Sequence, residues 1–385
     1  MNTRRHTADV VVVGGGIIGL AIAWRLARAG VGVTVCDDRP GRGASWVAAG
    51  LLAPVTEVHP GEDARPFLAL ALAAAERWPA FAAELEACSG SGVDLRLTGT
   101  LVVAADDDDR RALGAIVAFQ RNVGLRVEQL DRAACRRLEP LLHPRIRGGA
   151  HVPGDHAVDN RLVVHALCRA AERAGVEFVA ERVTGVVTSG GRLTGVRLRT
   201  GADRAAGAVV VATGADTARL ALPPGCVPPV RPVKGQVLRL EVPDPRARPG
   251  RPVRGLVAGR SVYVVPRSGA EVVVGATVEE RADPHPTAGG AHELLDAALA
   301  VLPGLAEARL AEVSAGVRPA TPDHAPVLGS TPVEGLVLAV GHHRNGVLLA
   351  PVTAELVAGW IVEGRMGDLD GRLPGADAFS LARFA

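Results

Sequence analysis

The chain has 385 residues, of which 48% are hydrophobic and 22% are charged, and 43 basic against 41 acidic side chains give a formal net charge of +2. These values are ordinary for a globular protein, and the length predicts two lobes rather than one. They exclude the strongly basic surface that a nucleic-acid partner requires.

Cysteine usage and apolar patterning bear on the compartment. The five cysteines are scattered without a Cys-x-x-Cys pair, which indicates a reducing compartment and argues against a disulfide framework or a zinc site. The most apolar stretches are soon interrupted by Arg or Asp, so no membrane span is predicted. The basic N-terminus lacks a signal-peptide cleavage pattern, and we therefore expect a cytoplasmic protein.

The first predicted elements form a βαβ unit. Residues 10–13 are a continuous apolar run, which is typical of a buried parallel strand. A glycine-rich turn and an apolar segment that ends at Gly30 predict a helix, and residues 31–38 predict the next strand.

The rest of the chain alternates helices and short strands. We predict helices over residues 63–87, 106–122, 159–174, 291–302 and 351–363, and a capped turn over 130–140. The acidic run at 106–109 is predicted to cap a helix rather than to bind a metal. Short strands, among them a Gly-Gly hairpin, follow residue 176, and residues 226–278 predict an antiparallel sheet with Lys234 on a strand edge. The predicted fold class is α/β, a Rossmann-type lobe interleaved with an antiparallel-sheet (α+β) lobe.

A glycine fingerprint gives the first functional prediction. Gly14, Gly16 and Gly19 fit G-x-G-x-x-G between a strand and a helix, which allows a tight turn, a close approach to a pyrophosphate and close helix–strand packing. Asp37, at the end of the second strand, can accept hydrogen bonds from ribose hydroxyls. The pattern predicts a dinucleotide site, the alternative being a purely structural turn.

Small residues after the second strand favour a flavin. The run RGASWVAAGLLAP at 42–54 lets backbone pass close to a pyrophosphate and a flat ring, and Ser45 is a candidate phosphate donor. A later buried strand ends at Gly214, a pattern that recurs where a chain returns to a flavin cofactor.

Together these motifs resemble the D-amino-acid-oxidase-like family of FAD oxidoreductases. Further matching stretches, in the family's order, are GASWVAAGLLAPVTE, RPVKGQ, VYVVPRSGAEVVVGAT, GVRPATPDHAPVLG and GHHRNGVLLAP. The resemblance implies an FAD-binding domain over 1–57, 150–224 and 311–385 and a substrate-binding domain over 58–149 and 225–310. It also implies non-covalent FAD, because no cysteine follows Cys226.

The resemblance implies a set of cofactor contacts. These are Ile17 and Ile18 at the pyrophosphate, Asp37 and Asp38 at the ribose, Ala44, Ser45, Ala49, Gly50 and Leu51 along the flavin, Val183 at the adenine, and His342, His343, Arg344, Asn345, Gly346, Val347 and Leu348 around the isoalloxazine. The adjacent histidines also suggest a metal site. Neighbouring residues on an extended strand point in opposite directions, so we predict no metal.

Three side chains are implied at the substrate. Arg318 matches the family's carboxylate-binding arginine, since a guanidinium can hold a carboxylate with two parallel bonds. The resemblance also implies Arg344 as a second substrate-facing arginine, the alternatives being that it steers substrate or pairs with a carboxylate. Tyr263, the only tyrosine in the chain, is predicted to donate to the substrate carboxylate, the alternative being ordinary core packing.

The implied activity is oxidation of glycine, sarcosine and small D-amino acids to a 2-oxo acid, ammonia and hydrogen peroxide, with dioxygen as acceptor. The resemblance further implies a role in making the thiazole of thiamine, and a homotetramer. The alternatives are a broader D-amino-acid oxidase or dehydrogenase, a nicotinamide-dependent dehydrogenase, and a nucleotide-binding protein without turnover.

Overall fold

The computed structural model describes residues 8–58, 65–364 and 376–385. The helices are α1 Ile17–Arg28, α2 Ala44–Val47, α3 Arg65–Ser89, α4 Asp107–Asn122, α5 Arg132–Leu138, α6 Asn160–Arg173, α7 Ala288–Val301 and α8 Gly346–Glu363. The strands are β1 Ala8–Val13, β2 Val33–Cys36, β3 Leu51–Leu52, β4 Thr100–Ala104, β5 Glu128–Leu130, β6 Gly149–Val152, β7 His156–Ala157, β8 Glu177–Val179, β9 Val183–Ser189, β10 Arg192–Leu198, β11 Asp203–Val211, β12 Arg231–Glu241, β13 Val253–Val257, β14 Arg260–Pro266, β15 Glu271–Gly275, β16 Arg309–Ala320, β17 Val327–Ser330 and β18 Leu336–Val340.

The first large sheet has a parallel centre. Its order is β17-β18-β11-β1-β2-β8, and β9 and β10 extend from β11 as an antiparallel hairpin. The strands from β18 to β8 pair in parallel. Buried valines dominate β1 and the end of β11, as expected for strands covered on both faces. The predicted Rossmann-type βαβ unit is confirmed.

The second large sheet is almost wholly antiparallel. Its order is β16-β12-β15-β14-β13-β4-β6-β5, with one parallel pair between β13 and β4. Helix α7 packs on this sheet through Leu294, Ala298 and Val301. The predicted antiparallel sheet over 226–278 is confirmed. A third, two-stranded sheet pairs β3 with β7.

The helices α1, α3, α6 and α8 share one core with the first sheet. Trp78 and Trp24 both meet Phe81 edge to face within it. Among the described helices, α8 is long and apolar enough to cross a membrane by length and composition alone. However, 61% of it is buried inside the protein, as in a core helix.

The prediction that the acidic run at 106–109 caps a helix is confirmed. The Asp106 carboxylate accepts hydrogen bonds from the amides of Asp108 and Asp109 at the start of α4. The carboxylate of Asp159 caps α6 in the same way. Capping is a local contact, which explains why the sequence predicts it well.

Three predictions about elements need correction. Helix α8 begins at Gly346 rather than at Pro351, so the proline lies inside the helix instead of opening it. Strand β16 was not predicted, because it has no alternating apolar pattern and is held by pairing along β12. Lys234 is not on an edge, since β12 lies between β15 and β16.

The division into two domains stays a prediction. Most of β6 and most of β16 fall within the ranges predicted for the FAD-binding domain, and both strands pair in the second sheet. Sheet membership depends on pairing between distant segments, which a boundary drawn along the chain does not capture.

Candidate active site

A cavity of about 1070 Å³ is lined by residues of both large sheets and the loops that follow their strands. This is at the upper end of the range for small-molecule and cofactor sites. The predicted site residues that line it are Gly14, Gly16, Ile17, Ile18, Asp37, Asp38, Ala44, Ser45, Ala49, Gly50, Leu51, Val183, Gly214, Tyr263, Arg318, His342, His343, Arg344, Asn345, Gly346 and Val347.

Two predicted contacts do not line the cavity. A Cβ at Gly19 would overlap the carbonyl oxygen of Gly14, so this glycine allows α1 to approach β1. Leu348 is buried, and its carbonyl accepts a hydrogen bond of 2.9 Å from Trp78 Nε1. Gly19 and Leu348 therefore lie outside the cavity lining and contribute to the packing around it.

The glycine turn brings the N-terminus of α1 to the cavity. Gly14 has a φ of +103°, and a Cβ there would lie 2.6 Å from the carbonyl oxygen of Ala212. The helix begins after Gly16, which has no side chain to cap it. Free amides and the helix dipole therefore favour an anion such as a pyrophosphate at this end.

Ser45 and Asp37 both contact this turn. The Ile17 amide donates to Ser45 Oγ at 3.0 Å, which leaves the hydroxyl proton available for a phosphate oxygen. Asp37 accepts from the amide of Gly15 at 2.6 Å and from that of Arg39 at 2.7 Å. Its carboxylate therefore braces the turn as well as lining the cavity.

Further along the cavity, Asp38 belongs to an ion-pair chain that sequence reasoning missed. Arg182 Nε lies 3.6 Å from Asp38, and its Nη2 lies 3.6 Å from Asp216. All three residues line the cavity. Their spacing in sequence gives no signal for this contact.

Arg318 projects from β16 over Gly235 of β12. A Cβ at Gly235 would overlap the guanidinium, so the glycine provides the space that the side chain occupies. Arg318 donates to the carbonyl oxygens of Lys234 and Thr277 at 3.2 and 3.1 Å. Among the described residues it has no carboxylate within ion-pair distance. Burial lowers the pKa of this guanidinium, and the Tyr263 phenol opposes that effect.

Tyr263 projects from β14 into the same end of the cavity. Its strand pairs with Gly275 of β15 on one side and with Arg254 of β13 on the other. Burial raises the pKa of the phenol, although the guanidinium groups of Arg318, Arg344 and Arg254 act in the opposite direction. The hydroxyl therefore stays protonated at neutral pH and can donate a hydrogen bond.

Arg344 forms an ion pair with Glu57, a cavity residue at the end of the motif GASWVAAGLLAPVTE for which no role was predicted. Arg344 Nη2 lies 3.2 Å from Glu57 Oε2, and Arg254 Nη2 donates to Glu57 Oε1 at 2.6 Å. One carboxylate thus joins two arginines beside the predicted substrate end. A charged residue inside the apolar strand VRGLV was the signal that could have identified Arg254.

The two adjacent histidines have different surroundings. His342 is buried, its Nε2 lies 3.1 Å from Thr353 Oγ1, and burial lowers its pKa to about 3. The His343 Nδ1 lies 2.9 Å from Nδ1 of the exposed His324, and burial is the main cause of its pKa of about 3. Both rings are neutral at pH 7. In the described part of the chain, no cluster of three or more metal-ligating side chains forms.

Lys234 holds the segment that closes the cavity near Arg318. Its fully buried ammonium lies 3.0 Å from Asp283 and 3.4 Å from Glu279. Ala276, Thr277 and Val278 of this segment line the cavity. The lysine acts on the shape of the pocket from outside it.

The lining residues fit an FAD molecule. The cavity is large enough for a dinucleotide, an uncapped helix N-terminus faces it, and the Gly14 turn has no room for a side chain. These features suit a pyrophosphate at one end, and the apolar wall from Val47 to Leu51 suits a flat ring system. The fold and the cavity define a dinucleotide-binding flavoprotein.

Comparison with known proteins gives the family. The family model described as DAO, FAD dependent oxidoreductase, matches residues 9–360. A glycine oxidase from Geobacillus kaustophilus is 35% identical over 360 residues, covering 92% of each chain. The crystal structure of glycine oxidase from that organism superposes with a TM-score of 0.84 at 33% identity, covering 99% of this chain and 98% of that one. The chain belongs to the FAD dependent oxidoreductase (DAO) family, and the predicted resemblance and cofactor are confirmed.

Another relative is a longer, bifunctional protein. The bifunctional protein ThiO/ThiG of Trichormus variabilis is 36% identical over 367 residues, which is 94% of this chain and 54% of that protein. The chain spans about half the length of such relatives.

Proposed function

We propose that this protein is an FAD-dependent oxidase of glycine and other small amines, including sarcosine and small D-amino acids. The products would be a 2-oxo acid, hydrogen peroxide and ammonia, with methylamine in place of ammonia when the substrate is sarcosine. The relatives named glycine oxidase support the substrate, and the relatives named ThiO/ThiG support a place in thiamine thiazole biosynthesis.

The observation that carries the proposal is the pairing of Arg318 with Tyr263 at one end of the cavity. A half-buried guanidinium with no carboxylate partner among the described residues is a site for a substrate carboxylate. The protonated phenol beside it supplies a second donor. An α-amino acid held at both points has its Cα fixed in one place.

When bound, FAD supplies the two-electron acceptor for the Cα–H bond of the substrate. Arg318 and Tyr263 would bind and orient the carboxylate, and the small residues from Ala44 to Leu51 would keep the ring system close to the substrate. Water would then hydrolyse the resulting imine to the 2-oxo acid and the free amine, which is ammonia from a primary amino acid and methylamine from sarcosine. With glycine, the 2-oxo acid is glyoxylate.

The cofactor would be held without a covalent bond. The α1 N-terminus, Ser45 and Asp38 would contact its pyrophosphate and ribose. The stretch from His342 to Val347, which leads into α8, would place backbone amides and the N-terminal helix dipole near the flavin ring. Purification of a yellow protein that releases free FAD on denaturation would support this arrangement.

A second candidate is a D-amino-acid oxidase or dehydrogenase with a broader pocket. A cavity of about 130 Å³ adjoins the main one, and Ser261 and Arg344 line both. The smaller cavity is otherwise mostly apolar, with Val102, Leu113 and Val117 in its wall. This space would favour substrates with an apolar side chain.

The deciding experiment is a substrate panel of glycine, sarcosine, D-alanine and D-proline. Anaerobic bleaching of the flavin identifies substrates, and peroxide formed under air separates an oxidase from a dehydrogenase that reduces only a dye. The proposed oxidase predicts both signals with glycine and sarcosine. Bleaching by none of the four compounds would contradict both candidates.

The proposal includes a homotetramer that works in the cytoplasm. Light scattering on the purified protein measures the number of copies. A monomeric mass at micromolar concentration would contradict that part of the proposal and leave the chemistry unaffected.

A further inference from the structure

Glu57 lies at the junction of two arginines in the wall of the cavity. Its two carboxylate oxygens contact different partners, Arg254 at 2.6 Å and Arg344 at 3.2 Å. Glu57 is 15% exposed at its side chain, against 6% for Arg254 and 36% for Arg344. The carboxylate therefore links a buried guanidinium to a partly exposed one.

The buried side of this junction is firmly anchored. Arg254 Nη1 donates to Thr56 Oγ1 at 2.7 Å, and that hydroxyl donates to Asp155 Oδ2 at 2.6 Å. Asp155 also accepts from the amides of Val55 and Thr56 at 3.0 and 2.8 Å. Buried side chains thus fix the position of Glu57. Its contact with Arg344 then determines where that longer, more exposed side chain lies.

The charges at this end of the cavity are unequal. Among the described residues, the guanidiniums of Arg254, Arg318 and Arg344 have one carboxylate within ion-pair distance, that of Glu57, which pairs with the first and the third. His343 beside them is neutral, and so is Tyr263. Arg318 alone of these three arginines has no carboxylate partner in the described parts of the chain. Of these three arginines, Arg318 is therefore the one whose guanidinium is available to a ligand carboxylate, as far as the described residues show.

We propose that Glu57 is a positioning residue that determines substrate specificity. By pairing with Arg344 it keeps that guanidinium away from the substrate, so that the site accepts amines with a single carboxylate and disfavours those with a second anionic group. The inference rests on the proposed function, because it assumes that Arg318 binds a substrate carboxylate.

Arg344 lies where its side chain can change position when Glu57 carries no charge. Arg344 and Ser261 line both the main cavity and the 130 Å³ cavity beside it, so Arg344 stands in the wall between them. Released from its carboxylate, this guanidinium can reach an anion in the main cavity. A second cation would then be available to a dianionic ligand.

The test compares a monoanion with a dianion on the FAD-loaded protein. Acetate and malonate are titrated against Glu57→Gln and the wild type, and binding is read from the visible absorbance of the flavin. The affinity ratio of malonate to acetate should rise about tenfold in Glu57→Gln, and it should fall back in the double variant with Arg344→Gln. The ratio of kcat/KM for iminodiacetate to that for sarcosine should follow the same order.

The matched control is Glu355→Gln, which neutralises a glutamate paired with Arg77 outside the cavity. It should leave both ratios unchanged. If Glu57→Gln retains FAD and its malonate-to-acetate ratio equals that of the wild type, Glu57 has no role in specificity and the proposal is wrong.

Arg344→Gln provides a second test of the proposal if Glu57→Gln does not fold. Arg344→Gln leaves Glu57 with less positive charge around it, so the malonate-to-acetate ratio should fall several-fold below that of the wild type. An equal or higher ratio contradicts the proposal. If no amino acid bleaches the flavin of the wild type, the proposed function is wrong, while the two titrations still decide what Glu57 does.

Discussion

The phenol of Tyr263 lies against Gly275 of the neighbouring strand, where only a glycine leaves room for it. A Cβ at Gly275 would lie 2.6 Å from the Tyr263 hydroxyl oxygen and 2.7 Å from two ring carbons. Gly235 makes the same kind of space for Arg318. Two glycines on adjacent strands of the second sheet thus shape the end of the cavity where we place the substrate.

The first prediction tests this packing. Gly275→Ala should displace the Tyr263 ring and weaken binding of acetate about tenfold while FAD is retained, because the added methyl overlaps the ring and not the nucleotide end. Flavin absorbance titrations measure the affinity. The control is Gly289→Ala, since a Cβ at Gly289 meets nothing within 4 Å. Acetate binding as tight as in the wild type would show that Tyr263 does not depend on Gly275.

The second prediction concerns Arg318. Arg318→Ala should weaken the apparent affinity for glycine by roughly 2–5 kcal/mol and leave FAD bound, because it removes the available guanidinium from a partly buried site. Steady-state KM and acetate titrations measure the loss. Arg309→Ala, an exposed change on the same strand, is the control. Unchanged turnover at low glycine concentration would remove Arg318 from the site.

The third prediction isolates the hydroxyl of Tyr263. Tyr263→Phe should weaken glycine binding by about 1.5–3 kcal/mol, which is the usual contribution of a hydrogen bond to a charged group. The ring remains, so FAD content and thermal stability should stay close to those of the wild type. If affinity does not change, the tyrosine serves only to pack the core.

The fourth prediction concerns the nucleotide end. Ser45→Ala removes the acceptor of the Ile17 amide and a candidate phosphate donor, and it should weaken FAD binding about tenfold. Equilibrium dialysis of FAD from the purified protein measures this. Ser189→Ala, at the end of β9 and outside the cavity, is the control. Equal FAD retention in the two variants would exclude a cofactor role for Ser45.

The fifth prediction is a pH dependence with a definite sign. Burial lowers the pKa of His342 to about 3, below its ordinary value of 6.5, so the unfolded chain binds a proton that the folded chain does not. Stability should therefore fall as the pH falls from 6.5 towards 3. His342→Gln should reduce this loss relative to the wild type, as measured by urea unfolding at pH 7 and pH 5.

Asp155 contributes with the opposite sign, because burial raises its pKa from 3.8 to about 6. Between these values its folded form binds the extra proton, so this group adds stability as the pH falls. The comparison of His342→Gln with the wild type cancels that contribution. Equal loss in the two proteins would show that His342 is not protonated on unfolding.

Sequence reasoning succeeded where contacts are local. The turn from Gly14 to Gly19, the Asp106 cap and the hairpin at Gly190 depend on residues within a few positions of one another. It failed at β16, whose pairing with β12 joins segments about eighty residues apart. It also misplaced the start of α8, because a proline that usually opens a helix lies within this one.

The site divides in the same way. Nearly all of the residues named from motifs line the cavity, yet their contact with FAD and substrate stays a prediction. Glu57 was visible in a quoted stretch without a role, since nothing in the sequence places it beside Arg254, 197 residues away. The ion pairs that Arg182 forms with Asp38 and Asp216 were not predicted for the same reason.

The sequence by itself determined the class of cofactor and the family, because glycines that must lack a side chain and small residues that must pass a flat ring leave a readable pattern. Only the tertiary structure decided how the charges are shared. Whether an arginine is available to a substrate depends on which carboxylate lies within about 4 Å of it, and that distance is set by strand pairing and loop packing between remote parts of the chain. The sequence alone does not distinguish Arg318 from Arg344 as a binding residue. In the folded protein they differ, because Arg344 pairs with the carboxylate of Glu57 and Arg318 does not.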